Sequence, residues 1–232
     1  EVVIMPEFDK YDNPVTRICR KYGQVETVRY MFEEARRANP NGTLLLNDFN
    51  TSSKYETLIA RCLDAGIRID AIGIQSHQHQ GYWGDEKLYD VLRRFSRFGL
   101  PIHFTENTFT SGHLMPAEIV DLNDYTVSSW PTTEEAQERQ CRDLEHFYRI
   151  LFENPQVQAI TNWAFEDGHW LGAPGGMVTA DNRKKPSFYT LKRLIKQEWW
   201  TDTTARTGAD GTAELDGFRG EYTAYVAGRE LP

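Results

Sequence analysis

Pro101-Ile102-His103-Phe104-Thr105-Glu106-Asn107 decides the fold. An apolar centre that ends abruptly in a carboxylate and a carboxamide is the pattern of a strand whose middle is buried and whose C-terminal end reaches a functional face. A helix precedes it, from about Asp85 to Phe98, with 3.6-residue periodicity and a stop at Gly99. The same unit recurs along the chain. Gln24 to Ala38 reads as an amphipathic helix that stops at Asn39-Pro40-Asn41-Gly42 and feeds the strand Thr43 to Asp48. Ser53-Lys54-Tyr55-Glu56 has capping-box spacing and opens a helix that ends near Gly66, before the strand Ile69 to Ser76. After a long loop, Thr132-Thr133-Glu134-Glu135 caps a helix to about Phe152, followed by the strand Gln158 to Trp163 and a last helix from Pro186 to Lys196.

Strands that alternate with helices predict an α/β chain with a parallel sheet and right-handed crossovers. A closed eight-stranded barrel takes about 250 residues, and four such units already occupy this chain to about residue 198. The sheet is therefore open, or half of a barrel is present. From Trp199 the composition turns to Thr, Gly and Asp, with turn signals at Ala209-Asp210-Gly211 and Asp216-Gly217 between the β-like runs Thr212 to Leu215 and Tyr222 to Val226. The expected organisation is a main domain over residues 1–198 and a small β appendage over 199–232.

Composition narrows the function. The 232 residues are 40% hydrophobic and 26% charged with a formal net charge of −8, which suits a globular chain with one sizeable core. Nucleic acid is an unfavoured partner, because phosphate tracking depends on clustered cations that this chain lacks. No apolar stretch approaches the roughly 20 residues of a membrane helix, and Glu1 to Lys10 has no signal-like character. Cys19, Cys62 and Cys141 are widely spaced and read as buried thiols.

The strand ends carry residues that a core would not select: Asn47-Asp48, Gln75-Ser76-His77-Gln78-His79, Glu106-Asn107, and Trp163 before Glu166-Asp167. In parallel α/β architectures these ends share one face, so the pattern predicts one site. Glu106 is the candidate nucleophile, since a rigid carboxylate with a second carboxyl about 5–5.5 Å away is what retaining glycoside hydrolysis requires. His77 is expected to orient Glu106. Zinc is disfavoured at His77 and His79, because the neighbouring Gln75, Gln78 and Gln80 suit sugar hydroxyls better than a cation; no cofactor is expected. Tyr82, Trp83, Trp163, Phe165 and Trp170 supply flat surfaces for pyranose rings. Asn47 and Gln75 are candidate hydroxyl partners, and Trp199-Trp200 is assigned to packing.

Together these segments resemble glycoside hydrolase family 10 endo-β-1,4-xylanases. Leu45 to Asn50, Ile72 to His77, Pro101 to Glu106 and Ile160 to Trp163 are similar, in order and spacing, to that family's fifth to eighth strand motifs, and Lys185-Pro186-Ser187-Phe188-Tyr189 to its last helix start. The resemblance implies the second half of a (β/α)8 TIM barrel and retaining hydrolysis of xylan, with the other half of the barrel as a missing partner. It places the nucleophile at Glu106, the residues around it at Gln75 and His77, and the sugar-covering tryptophans at Trp163 and Trp170. The family's acid/base falls on Glu1, without its usual Asn neighbour, with Glu7 as the fallback. Thr108 departs from the family, where Asp is usual. Secretion is expected from the resemblance. The alternatives are a non-catalytic carbohydrate-binding scaffold, or a cellulase or mannanase on the same barrel.

Overall fold

Three of the helices begin where a side chain takes up an unpaired backbone N–H group. The computed structural model describes residues 10–230. Asn13 caps α1 (Pro14–Tyr22) by accepting from Thr16 N, with Pro14 in the first turn, and Gly23 in the left-handed region (φ 85°) separates α1 from α2 (Gln24–Ala38). The sequence reading contains no counterpart of α1. Ser52, rather than the expected Ser53, caps α3 (Ser53–Asp64) through Lys54 N. Thr133 caps α5 (Glu134–Glu153) through Ala136 N. α4 spans Asp85–Ser96 and α6 Pro186–Arg193, the latter continued by a wider turn over Leu194–Glu198.

Between the helices lie β1 (Leu45–Asp48), β2 (Ala71–Gln78), β3 (Ile102–Phe109) and β4 (Val157–Asn162), all parallel and in the order β1-β2-β3-β4. This is the expected α/β arrangement, a partial barrel of four consecutive strand and helix units. Two side-chain layers follow from the pleat. Ile72, Ile74, Ile102 and Phe104 are fully buried, with Phe104 edge-on to Phe147 of α5 (ring centroids 5.6 Å apart). Tyr55 of α3 is equally buried, and its hydroxyl donates to the carbonyls of Leu46 and Gly73, fastening α3 across β1 and β2. On the opposite face, Asn47 and Gly73 are register neighbours. A Cβ on Gly73 would stand 2.4 Å from Asn47 Oδ1, so only glycine leaves room for the Asn47 side chain.

β3 carries one extra residue. Phe104 pairs with Ile74 of β2 but Glu106 with Gln75, and against β4 the ladder slips over the same stretch, between Phe104 and Asn107. This β-bulge at Thr105 reverses the alternation of the strand. Phe104 and Phe109, an odd number of positions apart, both touch Phe147. Glu106 and Thr108 are thereby turned to the face shared with Gln75 and His77.

The chain divides into two compact units between Ser187 and Phe188, earlier than the change of composition at Trp199. The second unit holds less strand than the expected β appendage. Its only strands among the described residues are β5 (Tyr225–Val226) and β6 (Arg229–Glu230), an antiparallel hairpin turning at Ala227 and Gly228 with φ 50° and 78°. Thr212 to Leu215 forms no strand, because Asp210 takes up both the backbone N–H and the hydroxyl of Thr212 in a local turn. Cys19 and Cys62 are buried and Cys141 is half-buried. No helix among the described residues is long and apolar enough to cross a membrane.

Candidate active site

The C-terminal ends of β2 and β3 place four polar side chains side by side. Gln75 Nε2 donates to Glu106 Oε1 (3.0 Å), and His77 Nε2 lies 3.0 Å from Glu106 Oε2. His77 Nδ1 lies 3.0 Å from Thr108 Oγ1. An ionised carboxylate only accepts, so a neutral His77 must carry its proton on Nε2 and take the Thr108 hydroxyl proton at Nδ1. Both oxygens of Glu106 are therefore held, while its side chain keeps 19% exposure toward the cavity. A held, reachable carboxylate can attack a carbon centre without first reorganising.

Aromatic rings wall the site. Trp170 lies against His77 with ring centroids 4.4 Å apart, and Trp163 meets both His77 (6.1 Å) and Trp170 (6.3 Å) edge-on. Trp163 remains 41% exposed, presenting a flat apolar surface to the cavity. The loop bearing Trp170 is pinned from below. Lys185, wholly buried, donates to Asp167 Oδ1, to Ser111 Oγ (2.8 Å) and to the Gly176 carbonyl (3.0 Å), while Gly176 N donates back to Asp167 Oδ1 (2.9 Å). A Cβ on Gly176 would lie 2.4 Å from the Glu166 carbonyl carbon, so here glycine serves close packing.

The cavity has a volume of about 430 Å³. Gln75, His77, Trp83, Glu106, Trp163 and Trp170 line it together. Asn47 and Tyr82 do not. Asn47 accepts from Thr105 Oγ1 (2.7 Å) beneath the site, and the Tyr82 hydroxyl donates to Asp85 Oδ1 (2.7 Å) with its ring edge-on to His146. Phe165 is also absent from the lining. Glu1 and Glu7 lie outside the described residues.

Sequence reading missed the other wall. Tyr11 and the segment Val120 to Asn123 of the long loop after β3 line the cavity. Asp121 binds Lys10 Nζ (2.7 Å) and the Tyr11 hydroxyl, and Gln80 donates to the carbonyls of Pro116 and Ile119. Burial opposes the charge on Asp121, but the Lys10 and Tyr11 hydrogen bonds outweigh it and hold the carboxyl down to about 2. Asp121 thus stays ionised near neutrality and is no proton donor. The only signal for this wall was the length of the loop itself.

The family model for glycosyl hydrolase family 10 matches residues 12–193. The chain belongs to glycosyl hydrolase family 10. Within this family-10 chain, an endo-1,4-beta-xylanase/feruloyl esterase of Xylanibacter ruminicola is 34% identical over 172 residues, covering 69% of the chain and 23% of that protein. The anti-sigma-I factor RsgI6 of Acetivibrio thermocellus is 28% identical over 203 residues, covering 85% of the chain and 23% of that protein. The family-10 chain thus spans about a quarter of the length of these two curated relatives. Among solved structures, the catalytic core of xylanase A superposes with a TM-score of 0.64 at 23% identity, over 81% of this chain and 62% of that one. That likeness shows the shared fold.

Proposed function

We propose that this chain is the nucleophile-bearing half of a retaining endo-1,4-β-xylanase. The observation that carries this reading is the carboxylate of Glu106, held through both oxygens by Gln75 and His77 at the floor of a cavity walled by Trp163 and Trp170. The family membership and the xylanase relative support the substrate class.

In this reading a xylan chain lies across the aromatic surfaces, with its hydroxyls toward Gln75 and the carbonyl-rich loop after β3. Glu106 attacks the anomeric carbon and forms a glycosyl ester as the departing sugar oxygen takes a proton from an acid. Water then cleaves the ester, with the same acid now acting as base. Glu1 is the candidate for that second carboxyl, and further strands of the same protein complete the barrel. The substrate is a polymer too large to enter cells, so a secreted enzyme fits this role.

Replacing Glu106 by Gln in the full-length protein tests the proposal. Hydrolysis of xylo-oligosaccharides is expected to fall by at least about 10³-fold, the scale on which loss of a nucleophile is felt, while oligosaccharide binding persists. Undiminished turnover would reassign the nucleophile. A second reading, a non-catalytic carbohydrate-binding scaffold, draws on the likeness to a protein named as an anti-sigma factor; it predicts xylan binding by the unaltered protein with no hydrolysis at all.

A further inference from the structure

Lys87, in the first turn of α4, lines the same cavity as Glu106. Its ammonium stands over the Trp83 ring, 4.5 Å from the centroid, and no carboxylate pairs with it among the described residues. Of the acids around it on α4, Asp85 is engaged by His146 and Tyr82, and Asp90 by Arg93 and Arg94. The other charged cavity groups have partners too: Asp121 is tied to Lys10, and Glu106 is held by Gln75 and His77. Burial, and then the like charge of Arg94, lower the Lys87 pKa, two penalties that a bound anion would relieve. The backbone of a β-1,4-linked xylan is uncharged, and its hydroxyls are served by neutral amides such as Gln75. An uncompensated cation open to solvent at the rim of the cavity, in a chain of net charge −8, calls for something the backbone lacks.

We infer that Lys87 reads an acidic branch of the polysaccharide, the carboxylate of a uronic acid attached to the β-1,4-linked chain, received at the rim formed with Trp83. The inference rests on the xylanase reading and adds its substrate class: an acid-substituted xylan in preference to a bare one.

The test measures binding by calorimetry to the full-length Glu106→Gln protein, so that hydrolysis does not intervene. Three ligands are compared: a xylo-oligosaccharide with one glucuronic acid branch, the same molecule with that carboxyl reduced to an alcohol, and the unbranched chain. The acidic ligand is expected to bind about tenfold more tightly than its reduced counterpart, on the order of 1.4 kcal/mol. Lys87→Met should erase that ratio and Lys87→Arg restore most of it, and the ratio should shrink as salt rises toward about 1 M. A ratio that survives Lys87→Met, or equal binding of the acidic and reduced ligands, overturns the inference and leaves the xylanase reading intact. Failure of all three ligands to bind overturns both.

Discussion

His77 joins Glu106 to Thr108: its Nε2 lies 3.0 Å from the carboxylate and its Nδ1 3.0 Å from the hydroxyl. The imidazole sits under Trp170 and is nearly enclosed, with 7% of its side chain exposed, so its proton placement is set by these two neighbours and not by bulk water. A hydroxyl can donate to Nδ1 or accept from it, whereas a carboxylate at position 108 would only accept. Thr108 therefore permits a neutral ring that directs its N–H at Glu106.

Thr108→Val removes the hydroxyl while keeping the shape. The expected result is a fall in kcat on the order of tenfold, the worth of about one hydrogen bond, with KM changed by less than about threefold. Thr108→Ser should recover most of the rate. Equal activity of the Val and Ser variants would show that the hydroxyl does not set the ring.

Deleting Thr105 removes the bulge and restores simple alternation to β3. Glu106 would then follow Phe104 directly, stay opposite Gln75 and keep the cavity face, while the Thr105 hydroxyl that bonds Asn47 is lost. A 2-fluoro-xyloside that esterifies the Glu106 carboxylate of the parent should therefore still label the deletion variant in intact-mass spectra. Thr105→Ser, which keeps the residue count and the hydroxyl donated to Asn47, should label normally. Loss of labelling in the deletion variant alone would contradict this register.

His79 lies against Trp170 and Trp130, with ring centroids 5.0 and 6.0 Å away, and neither of its ring nitrogens has a hydrogen-bond partner among the described residues. Burial, and then the nearby His77, push its pKa down to about 3. Between about pH 6.5 and 3 the unfolded chain binds this proton and the folded chain does not, so this contribution to stability is complete above 6.5 and declines as the solution is acidified. The decline should approach 1 kcal/mol per pH unit. Urea unfolding from pH 7 to 4.5 should show the parent losing more stability than His79→Phe across that interval, and a constant difference would rule this out.

Lys185 and Asp167 form a buried pair beneath the loop that carries Trp170. Truncating one partner strands the other, so Lys185→Met and Asp167→Leu should each cost about 3 kcal/mol or more. The double variant should cost less than the two losses added, because no charge is then left alone. Strict additivity in chemical denaturation would mean that the two side chains stand independently.

Much of the fold was legible because buried strand centres select apolar residues and helix starts select Asn, Ser and Thr. The four strands and five of the six helices lie where periodicity and capping put them, while α1 is short and strongly polar and offered no apolar stripe to read. In the site, Glu106, Gln75, His77, Trp83, Trp163 and Trp170 could be singled out because such residues are out of place at the end of an apolar strand. The bulge that aims Glu106 has no local signature, since Thr105 is an ordinary strand residue. Asn47 and Tyr82 were misplaced because their side chains satisfy neighbours, Thr105 and Asp85, that only tertiary structure brings within reach. Lys87 reads as one more charge on a helix surface until the cavity is seen beside it.

Gly73 and Asn47 fill one space between them. A methyl group at 73 would collide with the carboxamide at 47, and a shorter residue at 47 would release the Thr105 hydroxyl next to the Glu106 carboxylate. Across divergent sequences of this kind the two positions should therefore drift as a couple, glycine persisting wherever asparagine does and larger residues entering only where the carboxamide has gone.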